Sequence, residues 1–517
     1  MSEDTTNLSK IPPRPRLAVR LLRKGLFFVA CLATVIAFLY VEENWRGKRA
    51  WENYKREWEA KGEKFDLASF VPPPVPDEEN FAMTPFLAPL YDLNPRPLQP
   101  DQSPWRDTNA VDRAQNLTKD LKEPKSAGDW TKGELTDLAA WVSAQHKKGE
   151  PEKPALNRTE AAAEVLRMLE RYRPVLDELQ TASQRPYARF NVHYADKDQD
   201  PAAILLPHLG VVKQPARLFY LRASAELALG RTDQAFADVK MTLYLADTIK
   251  GEPFLISELV RFAVLQMALT RPVWEGLAGH QWSDAQLAEL EQQLGGIDML
   301  AEYGHSIRGE RGLENTELEF MRERRKYLNN LNDQPSLFSW VMPGGWFYQN
   351  EIAISRLHQE INLPRVDAGL HRVYPDGPVN NRDAQVTNEL SSGFPPYKIF
   401  ARLLFPALGR ASMRCAYTQT VVDEAMVACA LERYRLAHGE FPQSLDALTP
   451  QFIQKIPNDV CTGGPLKYQR GGDGRFTLYS SGWNGTDDGG QVAMHEGSTG
   501  SVNITKGDWV WPQYPAK

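Results

Sequence analysis

The stretch VVDEAMVACALERYRLAHGEFPQSLDALTPQFIQKIPNDVCTGGPLKYQRGGDGRFTLYSSGWNGTDDGG, Val421 to Gly490, decides how the second half of the chain is read. Val422, Met426, Cys429, Ala430, Tyr434 and Ala437 recur close to i, i+4, i+7, which predicts one apolar helix face with Glu424, Glu432 and Arg435 opposite it. His438-Gly439 and then Pro442 end the helix, because glycine takes the left-handed C′ position without Cβ strain and proline cannot continue the ladder. Ser444 then caps a short turn over Leu445, Ala447 and Leu448, and Leu466–Arg470 with Arg475–Ser480 form a hairpin across Gly471, Gly472, Asp473 and Gly474. The stretch closes in an acidic, glycine-rich loop, Trp483 to Gly490.

This order of parts resembles the globular head of the type II secretion major pseudopilins. The likeness rests on Ala430-Leu431-Glu432-Arg433-Tyr434-Arg435, His438-Gly439-Glu440-Phe441-Pro442, Ser444-Leu445 with Leu448, Ile456-Pro457-Asn458-Asp459, and Leu478-Tyr479-Ser480 leading into the loop. The resemblance implies a structural calcium ion in that loop, with Asn484, Asp487 and Asp488 as its side-chain ligands. Calcium takes six to eight oxygens, and glycines permit the tight turns that gather them. The residues alone also fit an Asx-rich turn without metal. An EF-hand register is excluded, since His495 stands where the bidentate Glu belongs. Lys24-Gly25-Leu26-Phe27-Phe28 lacks the glutamate of the family's peptidase site, so the expectation is a borrowed head on an anchored scaffold and not a processed pilus subunit.

At 517 residues the chain exceeds the size at which single cores stop growing, and its net charge of −6 excludes a dedicated nucleic-acid binder, which needs a basic face. Cys31, Cys415, Cys429 and Cys461 form no C-x-x-C pair. Cys415 and Cys429 would stand about 21 Å apart on one straight helix, too far for a disulfide; free thiols, or a bond from either to Cys461, remain open.

Residues 1–24 carry Lys10, Arg14, Arg16, Arg20, Arg23 and Lys24, and GLFFVACLATVIAFLYV over 25–41 has no charge. By the positive-inside rule this is a transmembrane helix with a cytoplasmic N-terminus, placing the chain in a bacterial inner membrane with its bulk periplasmic. A cleaved signal peptide is disfavoured because no small-x-small site follows the apolar run. Trp51, Tyr54 and Trp58 share one helix face, either folded back on the protein or offered to a partner or headgroups, before the stiff FVPPPVP of 70–76.

Beyond it, Thr131-x-x-Glu134 reads as a capping box for a helix bearing Leu135, Leu138, Ala139 and Val142, ended by Gly149 and Pro151. Thr159 opens another through Val165, Leu169, Tyr172, Leu176 and Leu179, kinked at Pro174. Ala228–Asp247 is similar to the turn and second helix of a single tetratricopeptide repeat, around Gly230 and Ala235. Further helices over Ser257–Leu277, Ser283–Leu294 and Leu300–Tyr327 make the middle all-α.

The fold class is thus membrane-anchored α plus α+β: a basic tail (1–24), a transmembrane helix (25–41), a juxtamembrane helix and linker (42–76), a mainly α-helical domain (77–333), an aromatic connecting segment (334–409) containing Trp340, Trp346, Phe347 and Tyr348, and a pseudopilin-like head (410–517). Nucleophile-elbow, zincin and P-loop motifs are missing. His305 with Arg308, Glu310 and Arg311 is the densest charged group holding a histidine; it and the run from Glu314 to Lys326 read as a two-signed helix surface. The function expected is a non-enzymatic interaction or assembly scaffold with a protein partner in the envelope. The alternative is an envelope hydrolase whose site lies in the helical domain or at its junction with the aromatic segment, with His305 the residue to test.

Overall fold

The computed structural model describes residues 16–95, 102–125, 127–146, 156–194, 201–324, 342–375, 388–389, 391–472, 474–495 and 502–511. The expectations for Gly149, Pro151, Trp340 and Asp473 lie outside these. The chain is mostly helical, with small antiparallel sheets near its C-terminus.

Helix α1 (Arg16–Glu59) is one unbroken element of 44 residues, so no joint separates an apolar helix at 25–41 from a stalk after it. It is long and apolar enough to cross a membrane over its first part, where Leu26, Phe27, Phe28, Phe38 and Val41 are exposed. Its second part is docked. Trp51 is buried against Phe65, ring centroids 5.6 Å apart, and Tyr54 meets the same ring at 5.9 Å. The aromatic stripe therefore folds back on the protein. Gly62, at φ +93°, reverses the chain, and Asp66 caps the 3-10 turn Leu67–Phe70 by accepting from Ser69 N at 2.9 Å. The FVPPPVP stretch is no free spacer: the Pro72 carbonyl accepts from Arg189 Nε at 3.1 Å.

The helical body follows as α2 (Thr108–Gln115), α3 (Leu138–Ala144), α4 (Arg158–Leu169), α5 (Arg173–Ala182), α6 (Pro207–Ala228), α7 (Thr232–Asp247), α8 (Leu255–Ala268), α9 (Trp274–Ala278), α10 (Asp284–Gly295) and α11 (Met299–Glu323). The capping box falls elsewhere than expected: Asp137 caps α3, while Thr131 and Glu134 bond to Asp129 in a turn closed by Gly133 at φ +72°. Asn157 with Glu160 forms the reciprocal box on α4. Pro174 stands in the first turn of α5, after a 3-10 break, where its missing N–H is tolerated. Helices α6 and α7 form the expected hairpin across Gly230, tied by a two-pronged bond from Arg222 to Asp238 at 2.7 and 2.6 Å.

Two elements depart from the sequence reading. Gly344–Leu357, inside the expected connecting segment, is a regular helix (α12) that runs along α1 and continues as a π turn, His358–Asn362. Helix α13 (Ile399–His438, 40 residues) is buried all round over 421–432, so Glu424 and Glu432 do not face water. It lies between α8, α10 and α11 on one side and strands on the other, and its charges are absorbed internally. Glu432 pairs with Arg435 at 2.7 Å and His280 at 2.9 Å, and Asp423 with His371 at 2.8 Å. Burial lifts Glu424 well above the usual carboxylate range, with Asp459 and Asp423 adding to it.

Gly439 at φ +83° ends α13 as expected. Strands β1 (Val366–Asp367) and β2 (Arg372–Val373) pair on their own. Strands β3 (Lys467–Arg470) and β4 (Phe476–Ser480) form the predicted hairpin, and after β5 (Val492–Met494) and β6 (Val502–Gly507) the short β7 (Trp509–Val510) joins β4, giving the order β3-β4-β7. Trp509 seats this sheet on α13, edge-on to Tyr417 at 5.3 Å. Cys31, Cys415, Cys429 and Cys461 are free thiols.

Candidate functional site

The loop holding Asn484, Asp487 and Asp488 is organised by hydrogen bonds of its own. Asn484 Oδ1 accepts from Thr486 N at 3.1 Å; Asp487 Oδ1 accepts from Gly489 N and from the Tyr479 hydroxyl, both at 3.1 Å. Its Oδ2 stands 3.4 Å from Lys467 Nζ. The Gly489 N–H and the Tyr479 hydroxyl hold the Asp487 carboxyl below its usual value. The clasp at the centre is Asp508, missed in the sequence reading. Fully buried, it accepts from Asp488 N at 3.1 Å and Gly490 N at 2.7 Å. Among the described residues no group of three His, Cys, Asp or Glu converges on a metal position, and Asn484 and Asp487 each accept from a backbone N–H two residues on.

The His305 group also separates. His305 Nε2 donates to the Gly251 carbonyl at 3.1 Å and its ring lies edge-on to Phe70, while Glu310 accepts from Leu255 N at 3.0 Å. Burial, with Glu314 beside it, pushes Glu310 up to about 7. Arg308 and the fully buried Arg311 both turn to Glu63, at 3.0 and 2.9 Å. Helix α11 is thus largely a buried polar spine as far as Asn315, where the turn after α1 and helix α12 cover it, while Glu319 and Glu323 nearer its end are exposed as expected.

What sequence reading left unmarked is a cleft of about 580 Å³ between α1, α11 and α12. Near it, two glycines let α1 and α12 touch backbone to backbone. A Cβ on Gly47 would stand 2.4 Å from the Gly345 carbonyl oxygen, and one on Gly345 would stand 2.0 Å from that of Glu43. Asn44 Oδ1 fixes the crossing by accepting from Gly345 N at 2.7 Å. One turn further on, Trp51, Phe65 and Tyr348 wall the cleft, and α11 contributes Asn315, Glu319 and Arg322.

At its floor Glu351 is 2% exposed. Its Oε1 has no hydrogen-bond partner among the described residues, and neither has Oδ1 of the buried Asn315. Arg322 Nη1 approaches Glu351 Oε1 only to 3.9 Å, beyond hydrogen-bonding distance. Burial, eased by Arg322 and reinforced by Glu319, raises the Glu351 carboxyl to about 8. Glu351 and Asn315 both line the cleft, and their unsatisfied oxygens are closed off from solvent beneath it, as are those of several other buried acids in the chain. The sequence did carry a signal: Glu351 falls between Phe347 and Ile354 on an apolar face of α12.

Comparison with known protein families, with curated proteins and with solved structures finds no match to this chain.

Proposed function

We propose that the chain is a single-pass envelope protein, anchored in a bacterial inner membrane through 25–41, that acts as an interaction or assembly scaffold on the periplasmic side. The observation that carries this reading is the continuity of α1. Its apolar part stands free of the body while its remaining turns are docked along α12, and the turn that follows it is tied to α11 by the Glu63 ion pairs. The basic residues Arg16, Arg20, Arg23 and Lys24 precede the apolar run and support a cytoplasmic N-terminus. No observation favours the hydrolase alternative over this reading. Protease added to spheroplasts is expected to degrade the body while sparing it in intact cells; a body left whole in spheroplasts would reject the orientation and the role together.

Calcium in the Asn484, Asp487 and Asp488 loop is a separate part of the proposal, carried by the resemblance to the pseudopilin head. The ion would have to draw Asp487 away from Lys467 and Gly489. At a hundred times its Kd, a site present only in the folded state adds about 2.7 kcal/mol. Thermal melting of the full chain with and without calcium, against the double variant Asp487→Ala, Asp488→Ala, decides it: a calcium-dependent rise confined to the parent supports the ion, and equal melting of both rejects it.

A further inference from the structure

We propose that the cleft between α1, α11 and α12 is a binding site for a small, soluble primary ammonium compound, held at its floor by Glu351 and Asn315. Two acceptors, Glu351 Oε1 and Asn315 Oδ1, lie unsatisfied there, and their complement is a group that carries several N–H donors. An ammonium supplies three and adds a charge opposite to that of the ionised acid. Trp51, Phe65 and Tyr348 form walls suited to the alkyl portion of a ligand, each ring already having a cation of the chain over it, Lys55, Arg311 and Arg322. The volume of about 580 Å³ is that of a small-molecule site and not of a polymer groove.

The side chain now nearest the floor is itself a cation. Arg322 is stacked on the Tyr348 ring at 4.4 Å and stands 3.9 Å from Glu351, and it has other partners in Glu319 at 3.2 Å and Glu323 at 3.7 Å. It can yield the floor to a better-fitting donor and keep its charge paired. The remaining charges around the cleft largely answer one another: Lys48 faces Glu52, Lys55 faces Glu59, and Asp66 is engaged by Ser69.

The ligand's source follows from height. The α1 residues that line the cleft, Lys48 to Glu59, lie roughly 10–27 Å beyond Val41 along the helix, while the headgroup layer is about 5–8 Å deep on each side. An aminolipid headgroup does not reach that level, so the amine comes from solution. This clause rests on the anchor reading; binding itself does not.

Glu351 must be ionised to hold an ammonium, and in the free protein it ionises only around pH 8. Binding below that pH therefore releases a proton, and affinity rises about tenfold per pH unit until it levels off near 8. Glu319 and Arg322 on α11, and Lys55 on α1, face the same carboxyl and set where the plateau begins.

The experiment is calorimetric titration of the full chain in detergent micelles with ethanolamine and putrescine at pH 6.5, 7.5 and 8.5, in two buffers of different ionisation heat, with phosphate and glucose as contrasting probes. The expected result is saturable amine binding, close to one proton released at the lowest pH, and affinity at least tenfold weaker in Glu351→Gln. No amine binding at any pH, binding without proton release, equal binding by the variant, or binding of phosphate or glucose instead would each overturn it. The proton count on the parent protein stands as a test even if the variant does not fold. Repeating the titration in nanodiscs separates the sources: competition by phosphatidylethanolamine, compared with phosphatidylcholine, would overturn the assignment to a soluble amine while leaving the anchor reading intact.

Discussion

Replacing Gly345 by valine is expected to destabilise the full chain by on the order of 3 kcal/mol, and Gly345→Ala to do so by a smaller amount of the same sign. The reason is backbone against backbone. A Cβ at this position stands 2.0 Å from the Glu43 carbonyl oxygen and 2.9 Å from Asn44 N, and no side-chain rotation relieves such contacts. Helix α12 must then move off α1, which breaks the Asn44 cap and opens the cleft above it. Urea unfolding in detergent measures this as a fall in midpoint at unchanged m-value. Gly210→Ala, on the exposed side of α6 with nothing within 4 Å, is the matched control and is expected to be neutral or stabilising by up to about 1 kcal/mol. Equal behaviour of Gly345→Ala and Gly210→Ala would mean that the two helices do not meet as described.

The second large effect is expected from Glu63→Ala, at about 3–5 kcal/mol, because it strands a buried guanidinium. Arg311 is fully buried, lies over the Phe65 ring at 4.4 Å, and bonds to Glu63, Gln359 and the Lys64 carbonyl. Removing both charges together, as Glu63→Leu with Arg311→Met, is expected to be much less damaging than either loss alone, and the double-mutant cycle measures the difference. The same pair predicts a pH dependence. Burial acts to raise the Glu63 carboxyl, but bonds and charge from Arg308 and Arg311 outweigh it and hold it below its usual value. A depressed carboxylate contributes stability above its unfolded pKa, about 4.3, and loses it as pH falls through its lower folded value. Melting followed downward from about pH 6 should therefore show a steeper acid decline in the parent than in Glu63→Gln.

Together these contacts make the segment after the membrane part of α1 a piece of the body. Its aromatic stripe is a docking face, its turn supplies Glu63 and Phe65 to α11, and its glycine admits α12.

Local signals were enough for much of the chain. The apolar run at 25–41, the α6–α7 hairpin at Gly230, the end of α13 at Gly439 and the β3–β4 hairpin each depend on spacing, a turn residue or a cap, all of them short-range. Burial could not be read the same way. Glu424 and Glu432 looked solvent-facing on periodicity, and α11 looked like a charged surface, because a sequence shows the alternation of polar and apolar residues but not how many neighbours will cover the polar ones. Asp508 reaches the loop from 18 and 20 positions away, Glu63 reaches Arg311 across 248 positions, and Glu351 and Asn315 line one cleft although they stand on different helices. The sequence by itself determined the apolar run at 25–41, the end of α13 and the α6–α7 and β3–β4 hairpins, since these follow from local propensity and period. The tertiary structure alone decided which charges are buried, which acceptors are left unpaired and where the cleft lies, since each of those is a property of chain segments brought together and belongs to none of them singly.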